Sequence, residues 1–296
     1  MNYFGNLPLV SFITINYNQA AVTCELLKTL TKITYPNFEI FVVDNASKTD
    51  STSIKQNFPT VNFIQSDINL GFAGGNNLAV KQAKGDYLFF INNDTEVKPD
   101  FLEPIVHFMQ NNEKVGMASP KIIYHNSGEI IQYAGANQIS NLTGRGSKIG
   151  YKQKDIGQYP ENRKTDYGHG AALIVRSDAV KIVGMMPEIY FLYYEEHDWC
   201  EQFKRKGYQI YFIAESQIYH KESMSIGVNS PLKTYYLTRN RLLFFKRNYA
   251  TIEYLIFSIF FYLAVVPKTT LTLLLKNDSE NLKSFFRGIF DFTKGK

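Results

Sequence analysis

Five short apolar runs, each the length of a buried strand, divide the first 125 residues and narrow most sharply what this chain can fold into. They are Leu9 to Asn16, Glu39 to Asn45, Val61 to Gln65, Tyr87 to Asn92 and Val115 to Ile123. Amphipathic stretches at about Ala20 to Lys32, Ser51 to Phe58, Gly75 to Lys84 and Asp100 to Asn111 lie between them and predict helices. Uninterrupted apolar strands are covered on both faces, and their alternation with helices predicts a Rossmann-like, doubly wound, mainly parallel α/β sheet. Ligands bind such sheets beyond the carboxyl ends of the strands. Polar residues gather at those ends: Thr14, Asn16 and Asn18 around the first, Asp44 and Asn45 after the second, Asn92, Asn93 and Asp94 after the fourth. A nucleotide site along that edge is the expectation.

The second part is less regular. Residues 124–168 are polar and rich in Gly, Tyr and Lys, and read as an acceptor-side loop with a short hairpin. A strand at Ala171 to Val175, a helix at Tyr194 to Lys206 and a strand at Tyr208 to Ile213 follow. The expected division is a catalytic domain over 1–232, with a donor half to about 123 and an acceptor half from 124, and a basic, aromatic tail over 233–296.

Charge separates these parts. The chain carries +5 in all, but from Lys233 onward 11 Lys and Arg face 4 Asp and Glu, a net of +7 that leaves −2 for the rest. A basic tail rich in Phe, Leu and Ile, behind a body without a basic stripe, points to an anionic membrane surface and away from nucleic acid. Cys24 and Cys200 form no CxxC or disulfide framework, which fits a reducing compartment. MNYFGNLPLV lacks a basic n-region and a long apolar stretch, so no secretory signal is read. The Asn-x-Ser/Thr sequons at Asn45, Asn93, Asn141 and Asn277 are taken as coincidence.

The polar segments have specific chemistry. A carboxylate at Asp44 can accept from a base N–H, although a capped turn explains FVVDNASKTDST equally. In NLGFAGGNN, Gly71, Gly74 and Gly75 permit tight turns, and Asn69, Asn76 and Asn77 are placed to meet a phosphate or sugar hydroxyl at a helix start. In FFINNDTEV a strand ends abruptly in Asn92, Asn93 and Asp94, a hard-oxygen position suited to Mg²⁺ or Mn²⁺. In FLYYEEHDWCEQFKRKGY, Glu195, Glu196 and Asp198 surround a helix start, and spacing does not select a base among them. Trp199 and Phe203, four apart, read as core, with Trp199 also an acceptor-side candidate. His107, His125, His169, His197 and His220 form no zinc pattern.

Taken in order, VSFITINYN, VVDNAS, NLGFAGGNN, FINNDTEV, GHGAALIVR, YYEEHDWCEQFKRKGY and a final YH resemble the family 2 glycosyltransferases of the GT-A fold. The branch resembled includes bacterial rhamnosyltransferases and galactofuranosyltransferases, and the resemblance covers about residues 8–247. It implies an inverting, metal-dependent, non-processive transfer from a nucleotide-diphosphate donor, dTDP-rhamnose or a UDP-sugar, to a cell-surface polysaccharide or lipid-linked glycan. It further implies that Asp44 holds the nucleobase, that Asp94 and His220 hold the metal, that Glu196 is the base, and that His169 and Gly170 lie beside the acceptor. This chain departs from the family in two places: Glu196 stands where Asp is usual, leaving Asp198 and Glu195 as alternative bases, and Asn92 and Asn93 replace acids of the DxD-type motif. No QxxRW motif is present, which excludes the processive synthase pattern.

Arg239 and Arg241 in TRNRLLFFKR are candidates for the donor diphosphate or a lipid phosphate. Tyr254 to Val266 is apolar apart from Ser258, and Pro267 and Lys268 interrupt it. Thirteen helical residues reach about 20 Å, short of a roughly 30 Å hydrocarbon core, so an interfacial or re-entrant anchor on the cytoplasmic leaflet is expected. A tilted span, a helix packed on the core and a homodimer surface are the alternatives. The rival functions are a sugar nucleotidyltransferase, whose Gly-rich basic loop ITINYNQAAVT lacks, and a silent glycan-binding protein.

Overall fold

The computed structural model describes residues 7–221 and 230–295; Met1 to Asn6, where the reading of the N-terminus begins, lie outside them. The donor half runs β1 (Val10–Asn16), α1 (Ala20–Leu30), β2 (Phe38–Asn45), α2 (Thr52–Asn57), β3 (Asn62–Ser66), α3 (Gly71–Val80), β4 (Tyr87–Ile91), β5 (Thr95–Val97), α4 (Leu102–Gln110) and β6 (Val115–Tyr124). There follow β7 (Ile131–Tyr133), β8 (Ala136–Asn137), β9 (Ser147–Lys148), β10 (Arg163–Lys164), β11 (Ala172–Arg176), α5 (Ser177–Val183), α6 (Glu195–Arg205) and β12 (Gln209–His220). The tail is α7 (Pro231–Asn248), α8 (Thr251–Phe260), α9 (Val266–Leu275) and α10 (Ser279–Thr293).

The main sheet has the order β10-β12-β6-β11-β4-β1-β2-β3. Strands β1 to β4 pair in parallel, as expected of buried apolar runs, whereas β11 enters antiparallel between β4 and β6. Phe12, Phe89 and Phe101 meet beneath the sheet with ring centroids 5.3 to 6.1 Å apart, joining β1, β4 and the start of α4 in one core. Register aligns Asn16 with Asp44 and Asn45 with Ser66, so the polar strand ends form one edge.

Two elements depart from their expected bounds. Helix α3 runs Gly71–Val80, four residues early at each end: Gly71, with φ +71°, makes the tight turn that opens it, and Gly74 and Gly75 lie within the helix against Leu70 and Ile15. The expected strand at Tyr208 to Ile213 continues to His220 as β12, across a register shift between Ile213 and Gln217 that hides the alternation. The tail also differs. Pro267 does not end the apolar helix: Thr251–Leu275 is one helix of 25 residues. A π-helical turn at Phe261–Val265 precedes the proline, and the wider turn relieves the clash a proline ring makes with the carbonyl four residues back. At 1.5 Å per residue this helix is about 37 Å long, long and apolar enough to cross a membrane by length and composition.

Candidate active site

Asp44 ends β2 with no solvent exposure. Its Oδ1 accepts from the Ser47 N–H at 2.8 Å and Gln65 Nε2 at 2.9 Å, and its Oδ2 from Asn16 Nδ2 at 2.8 Å. Burial would raise this carboxyl, but these hydrogen bonds hold it below the usual value, so it is a fixed anion. Asn16 passes the network on: its Oδ1 accepts from Thr23, whose hydroxyl also accepts from Asn93 Nδ2 at 3.1 Å. Asn18 clamps the next loop, its Oδ1 accepting from the Lys48 and Thr49 N–H groups. Several residues read as donor contacts thus spend their polar atoms on one another, which makes them the rigid wall of the edge. The buried Thr14 Oγ1 has no partner.

The glycine segment is rebuilt in the same way. Asn45 Nδ2 donates to Asn69 Oδ1 and the Gly71 carbonyl, and its Oδ1 accepts from the Leu70 N–H. At Gly71, with φ +71°, a Cβ would stand 2.2 Å from the Phe191 carbonyl oxygen, and at Gly74 one would meet Leu70 Cβ at 2.8 Å. Asn76 and Asn77 therefore lie inside α3 and not at its start. Asn76 donates to the Phe72 carbonyl, and Asn77 to the Met186 carbonyl and Glu188, so both N–H groups of Asn77 and one of Asn76 are spent within the fold. This corrects their placement at a phosphate-binding helix start.

Asn92 ends β4 by turning the chain, its carbonyl accepting from Thr95, and the turn delivers Asp94 to His220. Strand β5 pairs antiparallel with the end of β12, setting His220 opposite Thr95, while the Lys221 N–H donates to the Asp94 carbonyl. Asp94 Oδ1 and His220 Nε2 lie 3.1 Å apart, both buried. They nevertheless make no aligned hydrogen bond to each other or to any other group. His220 Nδ1 is 2.7 Å from Gln132 Oε1, an acceptor for a proton on Nδ1, and in that tautomer the Nε2 lone pair is available toward Asp94. An unpartnered carboxylate oxygen and an unpartnered imidazole nitrogen 3.1 Å apart suit a divalent cation completed by a ligand's own oxygens. Among the described residues no group of three or more His, Cys, Asp and Glu is arranged to hold a metal by itself.

The acids of α6 follow a segment in which Phe191, Tyr193 and Tyr194 all have positive φ, at 62°, 68° and 75°. Such conformations cost of order 1–3 kcal/mol each and persist where neighbours over-determine them. Here Asn240 of α7 does so, its Nδ2 donating to the carbonyls of Tyr190, Leu192 and Tyr193 at 2.7 to 2.9 Å. The Phe191 carbonyl accepts from the Phe72 N–H, tying the segment to α3. Nothing in the sequence marked Asn240 or Gln132, because each acts on a partner distant along the chain.

The three acids then diverge. Asp198 is buried and accepts from Tyr190 at 2.5 Å, Gln202 at 2.7 Å and Arg247 at 2.8 Å. Burial would raise its carboxyl, but those three donors hold it below the usual range, in a structural tie between α6 and α7. Glu195 is also buried; burial first and Glu196 second push its carboxyl well above the usual value, and its Oε2 has no partner. Glu196 alone lines a cavity of about 470 Å³ between α6, the Arg145 loop and the tail helices. Burial opposes its ionisation, but His197, with Nδ1 3.3 Å from its Oε1, its own backbone N–H and Lys148 bring it below the usual value. Its Oε2 is unpartnered.

Gly170 and His169 lie between the two clusters. A Cβ on Gly170 would stand 3.5 Å from Glu196 Oε1, and the His169 ring is 6.3 Å from that of His220. His169 Nδ1 accepts from the Ala171 N–H, and burial followed by Lys148 lowers its pKa well below the usual imidazole value. Trp199 has to be corrected: it has no exposure, packs edge-on against Phe90 and Phe203, and donates to the Gly184 carbonyl, so it is core and not an acceptor contact. Arg239 donates to the Ile189 carbonyl and Asn240, bracing the loop before α6.

Comparison with known proteins gives the family and the fold. The glycosyl transferase family 2 model matches residues 11–181. The chain is similar to dTDP-rhamnosyl transferase RfbF of Shigella flexneri, at 24% identity over 96% of this chain and 95% of that protein. It is also similar to the N-acetylglucosaminyl-diphospho-decaprenol L-rhamnosyltransferase of Mycobacterium tuberculosis, at 23% identity over 75% of this chain and 78% of that one. Among solved structures it shares the fold of the mannosyltransferase PcManGT from Pyrobaculum calidifontis, determined with GDP-Man and Mn²⁺. The TM-score is 0.61 at 13% identity, covering 98% of this chain and 88% of the other. With more than half its length matched by the family model, this chain belongs to glycosyl transferase family 2 and is a glycosyltransferase of the GT-A fold.

Proposed function

We propose that the enzyme moves one sugar from a nucleotide-diphosphate donor, dTDP-rhamnose or a UDP-sugar, to a hydroxyl of a cell-surface polysaccharide or lipid-linked glycan, with inversion. The observation that carries this reading is the setting of Glu196: of three neighbouring acids it alone borders the cavity, ionised and with one oxygen unpartnered. A base must be deprotonated before reaction, and a positioned one contributes about 10²–10⁴ in rate. Glu196 takes the proton as the acceptor oxygen bonds to the anomeric carbon, and the bond to the donor diphosphate breaks on the opposite face. Asp94 and His220 are the residues to hold Mg²⁺ or Mn²⁺, which when bound neutralises charge on the leaving diphosphate. Asp44, fully covered by Asn16, Ser47 and Gln65, meets the nucleobase when one of those donors gives way to the base N–H.

The name of the Shigella relative supports a dTDP-rhamnose donor, and that of the mycobacterial relative supports a lipid-linked acceptor. The basic tail and its exposed apolar helix support attachment to the inner face of the cell membrane.

The test is thermal stabilisation by UDP, dTDP, GDP and CDP, with and without Mn²⁺, in wild type and Asp94→Ala. A ligand at 100 times its Kd adds about 2.7 kcal/mol. One nucleotide is expected to stabilise the wild type only with metal, and the variant not at all. Glu196→Gln is expected to keep that stabilisation and lose transfer; normal transfer would remove Glu196 as the base.

A further inference from the structure

The cavity that Glu196 borders does not end at α6. It continues to Arg145 and Arg241, and on their far side a second cavity of about 370 Å³ opens along Phe260, Ala264 and Leu273. Both cavities share Arg145, Arg241, Val265 and Thr269, so the two guanidinium groups stand at a waist between them.

Arg241 is an unusual group to bury. It is 6% exposed, its guanidinium carbon lies 5.6 Å and 5.3 Å from the rings of Phe257 and Phe261, and one Nη donates to the Thr143 carbonyl. Its Nε is buried without a partner. Burial first, with Arg145 adding repulsion, brings its pKa down to about 10, so it remains a cation at neutral pH. Among the described residues neither Arg145 nor Arg241 has a carboxylate within ion-pair distance. The pocket is shaped by backbone as well: Gly144, at φ +65°, approaches so closely that a Cβ would meet Phe245 at 2.9 Å and Arg241 Nε at 3.0 Å. A desolvated cation beside a like charge is costly unless an anion completes it, and the planar donors of paired arginines suit phosphate oxygens. On the outer side, Leu263 in the π-helical turn and Leu271, Leu274 and Leu275 of α9 leave an apolar face uncovered.

We propose that Arg145 and Arg241 bind the phosphate or diphosphate of a glycolipid acceptor. Its sugar hydroxyl reaches Glu196 through the first cavity, and its hydrocarbon chain leaves through the second along α9. This rests on the reading of Glu196 as the acceptor's base and names what carries that acceptor.

The experiment measures binding of a long-chain prenyl diphosphate in detergent micelles, of inorganic diphosphate, and of the stabilising nucleotide with Mn²⁺, to the full chain. The variants are Arg145→Glu, which changes an exposed side chain and spares folding, Arg241→Gln, and Ala264→Trp in the second cavity. Arg145→Glu is expected to weaken the prenyl diphosphate by about tenfold or more, the worth of one charge-assisted hydrogen bond, and to leave nucleotide binding unchanged. Ala264→Trp is expected to weaken the prenyl ligand and not inorganic diphosphate. Equal affinity for inorganic and prenyl diphosphate would reduce the pair to a free-phosphate site, and loss of nucleotide binding in Arg145→Glu would assign it to the donor; either result overturns the proposal. Glu196→Gln separates the two readings: lipid binding kept with transfer lost supports both, whereas transfer kept removes only the base.

Discussion

At the scale of single residues, neighbours with the same chemistry have different states. Glu195 and Glu196 are adjacent carboxylates, yet one is pushed up by burial and the other is brought down by His197, its own N–H and Lys148. The folded protein holds the Glu195 proton more tightly than the unfolded chain does. Stability is therefore lost as pH rises from the ordinary carboxylate range through the raised value. Glu195→Gln removes that loss: its melting temperature is expected to match wild type near pH ~4 and to exceed it increasingly toward pH ~8. A gain independent of pH would mean that Glu195 is not protonated in the fold. Asp198 has the opposite sign, so its contribution is present above the ordinary aspartate range and lost as pH falls through its lowered value. The sequence offered all three acids at one helix start, and which one faces a cavity followed only from how α6 is rotated against α7.

At the scale of elements, the decisive piece is the left-handed segment before α6 and the helix that fixes it. Asn240→Ala takes the side-chain donor from the Leu192 and Tyr193 carbonyls and leaves that of Tyr190 only the Leu192 N–H, which is expected to cost about 1–3 kcal/mol of stability. It also frees Phe191, Tyr193 and Tyr194 to relax, moving Glu196. Steady-state kinetics should show kcat falling by a larger factor than KM for the donor rises; an equal loss in a merely destabilised enzyme would leave Asn240 a structural residue only. Helix α3 carries a related lesson. NLGFAGGNN was legible as a constrained segment, but Gly71 and Gly75 are required by the Phe191 carbonyl and Ile15, which approach from elsewhere in the fold, and only Gly74 answers a neighbour within the segment, Leu70.

At the scale of the whole molecule, the tail is an integral part of the enzyme and also its most exposed apolar surface. Asn240, Phe244 and Arg247 of α7 hold it to the catalytic body at the Tyr190 loop, Tyr194 and Asp198, while Phe245, Phe257 and Phe261 stack its helices on one another and Gly288 of α10 comes close enough to α7 that a Cβ would meet the Tyr235 carbonyl at 2.8 Å. The opposite face carries Leu263 and Leu275, each 76% exposed, and the tail's net charge is +7. Full-length protein is expected to co-sediment with anionic vesicles more than with neutral ones, less so at high salt, with each basic residue near the surface worth about 1 kcal/mol. Leu263→Asp with Leu274→Asp should abolish this binding; unchanged binding would show that the helix does not meet the lipid.

The amino-acid sequence determined the strand-and-helix alternation, the polar carboxyl edge of the sheet and the order of motifs, because these are set by periodicity and by residues close together along the chain. The tertiary structure decided the rest. It made packing and hydrogen-bonding residues of Asn76, Asn77, Gly71 and Trp199, carried α8 and α9 through Pro267 as one helix, and brought Gln132 to His220 and Asn240 to the Tyr190 loop. Burial, an imidazole tautomer and an uncompensated cation each depend on which atoms meet across the fold, and local spacing does not encode that.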